Sequence, residues 1–195
     1  MFATFTIVFE RQYGFSTNSV GLTFLGLGIG CLSGLLVIGA ISDRILKAKS
    51  KLTPESPSGS MKPEYRLPPL VVGAFFIPAG LFMYGWSAQY ITHWIVPEIG
   101  TFLIGIGTIS VLMCITTYLV DAFTIYAASA LAANTVIRSV MGALLPLAGQ
   151  AMYDALGLGW GNSLLGFIAL ACLPIPWLLL KYGEKLRTCF DSSRL

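Results

Sequence analysis

The chain of 195 residues is 55% hydrophobic and only 11% charged, with a net charge of +3 and a mean hydropathy of +0.77. Soluble domains carry about 25% charged residues, so the composition excludes an ordinary water-soluble fold and implies an integral membrane protein. The basic residues lie beside apolar runs, which argues for loop placement and against nucleic-acid binding.

Met1–Phe9 (MFATFTIVF) is apolar but lacks the basic flank and small-residue cleavage site of a signal peptide. At 1.5 Å per residue it reaches only about 14 Å, less than a bilayer core, so it reads as the end of a longer helix. Five full spans are expected after it: Val20–Ile41, Leu70–Ser87, Ile95–Val120, Ala127–Ala148 and Leu164–Leu180. The fold class is therefore an all-α membrane protein, one helical domain over residues 1–195 with five full spans and the end of a sixth. Segment 42–67 carries Arg44, Lys47, Lys49, Lys51, Lys62 and Arg66, and tail 181–195 carries Lys181, Lys185, Arg187 and Arg194. Five spans put both segments on one side, whereas the other side has Arg11. The positive-inside bias makes the two basic segments, and with them the C-terminus, cytosolic. The Ser-, Pro- and Lys-rich centre of 42–67 is expected to be a flexible connector.

Within the first span, Gly26, Gly30 and Gly34 repeat the GxxxG spacing that lets a second helix backbone approach closely. The run GLGIG there is not a nucleotide fingerprint, because no strand precedes it. Gly39, Asp43, Arg44 and Lys47 close the span at the cytosolic interface. On the third span Ser110, Cys114, Thr117 and Asp121 fall on one helical face, with Tyr118 beside them; either that face turns toward the bundle interior, or Ser and Thr hydrogen-bond between helices and Asp121 is an ordinary interfacial acid. Glu98, just after Pro97, is expected to be solvated at the outer end.

The fourth span holds the costliest residue. Arg138 is the only charge in AASALAANTVIRSVMGALLPLA, and a permanent charge at a helix centre costs about 2.5–3.5 kcal/mol on insertion scales. Asn134 precedes it by four residues, so both point the same way. A cavity-facing role for the pair competes with a structural network between helices. Asp121 lies about 16 Å of helix away, too far for a direct pair, so a balancing carboxylate is expected from a substrate or from other protein. Cys31, Cys114, Cys172 and Cys189 show no metal or disulfide spacing and read as apolar filler. His93 beside Trp94 reads as an interfacial anchor. No nucleophile–base pair or metal cluster suggests an enzyme, and no cofactor is expected.

These residues resemble the C-terminal half of a major facilitator superfamily transporter, and more narrowly the fungal drug:proton antiporters of twelve spans. The resemblance rests on Gly39-x-x-x-Asp43-Arg44-x-x-Lys47, Pro63–Pro69 (PEYRLPP), Gly85-Trp86-Ser87, His93–Pro97, Thr117–Asp121 (TYLVD), the run Ala127–Arg138, and Gly157–Asn162 (GLGWGN). Leu46 stands where the best copies of the loop motif have glycine. The resemblance implies that the spans are helices eight to twelve and that a six-helix N-terminal half is the missing partner. It implies transport of a small organic solute by alternating access, namely proton-coupled efflux of drug-like or cationic compounds, with protons as partners and the plasma membrane as site. Asn134, Arg138, Ser110, Thr117 and Tyr118 would line the cavity, and Gly39, Asp43, Arg44 and Lys47 would gate it. The alternative is a truncated, transport-inactive fragment serving as a membrane scaffold or partner of a complete transporter.

Overall fold

The computed structural model describes Phe9, Tyr13 and residues 17–52 and 68–178; side chains of residues 17–20, 45–52, Asp43, Thr124 and Gln150 are outside that description. The chain forms α1 (Thr17–Leu52), α2 (Pro68–Gln89), α3 (Ile95–Phe123), a 3-10 turn (Thr124–Tyr126) and α4 (Ala127–Cys172). Five stretches are long and apolar enough to cross a membrane: Gly21–Ser42, Pro68–Gln89, Ile95–Phe123, Ala127–Gly149 and Ala151–Leu178. The last begins thirteen residues before the expected Leu164, because α4 runs on through Gly149. It breaks only at Gly157, whose φ of 74° and ψ of 173° are open to glycine. α1 likewise continues past Ile41 to Leu52, so the first eleven residues of segment 42–67 are helical rather than loop. The rest of that segment, tail 181–195 and Met1–Val8 lie outside the described residues.

Local chemistry explains the ends. Pro68 and Pro69 open α2, where a missing N–H leaves no bond unmade. Its C-terminus closes with the Thr92 N–H donating to the Ser87 carbonyl at 3.2 Å, the long bond of a Schellman motif. Ile91 occupies the left-handed position, φ 47°, that glycine normally fills there.

Glycine contacts give the helix order. Gly73 meets Ser110, Ile77 meets Gly107, Gly80 meets Ile104 and Tyr84 meets Gly100, so α2 and α3 are antiparallel. Gly26 meets Glu98, Gly30 meets Phe102 and Gly34 meets Ile106, so α1 and α3 are parallel. Gln89 meets Gly159, Gly85 meets Asn162 and Phe82 meets Gly166, so the C-terminal arm of α4 is antiparallel to α2. α3 thus lies between α1 and α2, and α2 between α3 and that arm. One core cluster holds Phe9, Leu81, Tyr84 and Ile104 near the Glu98 end. A second, of Ile38, Leu70 and Cys114, lies toward the other end. The N-terminal arm of α4, over Ala127–Gly149, buries none of the residues in its most apolar window, against 44% for α2.

Candidate functional site

That bare arm carries Arg138, midway along the span Ala127–Gly149. Ala127, Ala130, Leu131 and Asn134 are half-buried at helical spacing, and the stripe stops at Asn134; Arg138, one turn on, is exposed. No described acid lies within ion-pair distance of Arg138. Val136, Ile137, Val140 and Met141 around it are exposed as well. Among the described residues, no buried network between two helices holds the guanidinium.

The polar stripe of α3 proves to be two things. Ser110 is fully buried against Gly73 of α2, with its hydroxyl donating back to the Ile106 carbonyl. Cys114 is buried with Ile38 and Leu70. These residues face a closed seam, which corrects the expectation that Ser110 lines a cavity. The physical reason is the missing Cβ of Gly73, which draws α2 onto Ser110. Thr117 is half-buried and donates to the Met113 carbonyl at 2.8 Å and the Cys114 carbonyl at 3.1 Å. Tyr118 is half-buried against the Ile38–Leu70–Cys114 cluster. Both therefore sit on α3 beside that cluster, whereas Asn134 and Arg138 stand on α4.

The glycines of α1 make the α1–α3 seam. A Cβ on Gly30 would strike the Phe102 carbonyl oxygen, and one on Gly34 would lie 2.6 Å from Ile109 Cγ2. From the other side, a Cβ on Gly105 would lie 2.6 Å from the Leu27 carbonyl oxygen. Gly26 is different, since its neighbour is a carboxyl. The Gly26 N–H donates to Glu98 Oε1 at 3.0 Å, and Oε2 is buried with no hydrogen-bond partner among the described residues. This corrects the expectation of a solvated Glu98: only a residue without a side chain lets the carboxyl lie against the α1 backbone.

The break in α4 is a second polar site that sequence reasoning left unassigned. Gln89 Oε1 accepts from the Gly159 N–H at 2.7 Å, taking one of the donors that helix restarting after Gly157 leaves free. Asn162 is fully buried, accepts from the Tyr153 hydroxyl at 2.9 Å and donates to the Leu158 carbonyl at 2.9 Å. Trp160 packs edge-on against Trp86, ring centroids 5.8 Å apart. The signal was present in the sequence as GLGWGN, but its partners on α2 were not legible from spacing.

At the opposite end a Cβ on Gly39 would make ordinary contact with Met113 Cε at 3.7 Å, and Arg44 is exposed. The side chains of Asp43 and Lys47 lie outside the described residues.

Five apolar spans, several of them joined at glycine seams, define a multi-pass integral membrane protein. The chain belongs to the Major Facilitator Superfamily, whose family model matches residues 1–146. It is 75% identical over its whole length to the MFS-type transporter tndD of Aspergillus flavipes, covering 36% of that protein. It is 61% identical over 96% of its length to the MFS-type transporter penM of Penicillium rubens, again covering 36% of the relative. With the efflux pump radE of Floropilus chiversii it shares 53% identity over 96% of its length and 34% of the relative. The chain thus spans about a third of the length of the curated relatives it matches, and the family is one of transporters rather than enzymes. No solved structure matches it.

Proposed function

We propose that these residues form the C-terminal part of a solute exporter, with Asn134 and Arg138 facing the path between this bundle and the N-terminal half. The observation that carries the reading is the exposure of a permanent charge midway along the span Ala127–Gly149, whose most apolar window buries none of its residues. Against lipid that placement is costly. Against a water-filled path or an anionic group it is not. The likeness to radE, an efflux pump, supports the outward direction. The substrate is a small drug-like or cationic organic solute, proton coupling drives it, and the membrane is the plasma membrane with the C-terminus cytosolic. Gly39, Asp43, Arg44 and Lys47 then lie at the cytosolic gate. Transport by Arg138→Ala in the transporter carrying these residues tests the reading: activity is lost at normal protein level, whereas normal transport overturns it.

A further inference from the structure

The α1–α3 seam contains a group that packing alone does not explain. Glu98 sits in the first turn of α3, inside the span Ile95–Phe123. Its Oε1 takes the Gly26 N–H, and a Cβ on Gly26 would lie 2.6 Å from Oε1, 2.8 Å from Cδ and 2.9 Å from Cγ. The carboxyl therefore lies flat on the α1 backbone. Oε2 is buried and, among the described residues, has no donor.

Among the described residues the surroundings offer no counter-charge. α1 has no charged side chain from Thr17 to Ser42. From α2, the residue packed on this turn of α3 is Tyr84, whose backbone and Cβ lie against Gly100. On its own helix, Thr101 donates to the Glu98 main-chain carbonyl at 2.8 Å and does not reach the carboxyl. His93 in the preceding turn is exposed, with Nδ1 turned to the Ile95 N–H and its ring against Trp94. Among the described residues no basic side chain lies within ion-pair distance of Glu98.

We propose that Glu98 is a proton-binding site whose loading is linked to closure of α1 on α3 at this end of the bundle. The proposal rests on the transporter reading and assigns its coupling ion a place. With the seam closed, a charged carboxylate keeps one oxygen dry and without a donor, so the neutral acid is the form the closed seam accepts. The charged form needs water at Oε2, which requires α1 to part from α3 there. A proton from water forms the O–H bond as the seam closes and returns to water as it opens. Linkage is reciprocal: closure favours the proton, and the proton favours closure.

The test uses the transporter reconstituted in liposomes, native and Glu98→Gln; the amide keeps an oxygen for the Gly26 N–H but cannot titrate. Infrared difference spectra across a pH jump are expected to show the carbonyl stretch of a protonated carboxylic acid, absent from Glu98→Gln. Identical spectra for the two proteins overturn the proposal. In the transport arm, Glu98→Gln is expected to retain substrate exchange and lose accumulation driven by an imposed pH gradient. An undiminished response to the gradient overturns it as well. If neither protein moves substrate, the exporter reading fails while the infrared comparison still decides the carboxyl.

Discussion

Replacing Gly105 by alanine tests whether the α1–α3 seam is held by backbone contact. A Cβ there would lie 2.6 Å from the Leu27 carbonyl oxygen, 3.0 Å from the Cys31 amide nitrogen and 3.2 Å from the Gly30 carbonyl carbon. All three are main-chain atoms, so no side chain can rotate away. To reach ordinary contact near 3.4 Å, α1 must withdraw by about 0.8 Å, a gap that forfeits roughly a quarter to a half of each well along the seam. Membrane helices associate through such packing rather than through a hydrophobic drive. The expected loss is about 1–3 kcal/mol, the usual cost of overpacking. Gly28→Ala on α1 is the control: nothing lies within 4 Å of a Cβ there, so the same added methyl should change stability by less than about 0.5 kcal/mol. Denaturant unfolding in mixed micelles reads both. Equal stability of Gly105→Ala and Gly28→Ala would refute the seam as described.

Two further predictions concern the joints. Asn162→Ala removes a fully buried amide that serves both the Tyr153 hydroxyl and the Leu158 carbonyl, and should cost about 1–3 kcal/mol in the same unfolding assay; an unchanged midpoint would mean the α4 break is held by something else. Ile91→Gly relieves a β-branched residue of a left-handed conformation at the end of α2 and should stabilise by about 1 kcal/mol; a loss of stability would contradict the assigned backbone.

The spans were legible because an unbroken apolar run of bilayer length has few other uses, and the glycine spacing of α1 pointed to a packing groove before any partner was known. What the groove packs against was not legible, since Phe102, Glu98 and Gly105 lie on another span and no local spacing links them to Gly26 and Gly30. Glu98 was misread for the same reason: a carboxylate near a span's end is normally wet, and only the absent Cβ of Gly26 makes a dry resting place. Ser110 and Thr117 share one face by periodicity, but periodicity does not say whether that face meets water or another helix, and Gly73 decides it for Ser110. Arg138 was legible as costly, and its exposure follows from the half-buried stripe of that arm stopping at Asn134.

Whether Arg138 stands in the proposed transport path is read from transport by Arg138 variants. With protein level matched, Arg138→Ala should lower the rate about tenfold or more, the worth of one charge-assisted contact. Arg138→Lys should keep part of it, and Val136→Ala, on a different face of the same arm, should leave it near native. Native rates for Arg138→Ala, or equal losses for Arg138→Ala and Val136→Ala, would contradict the account.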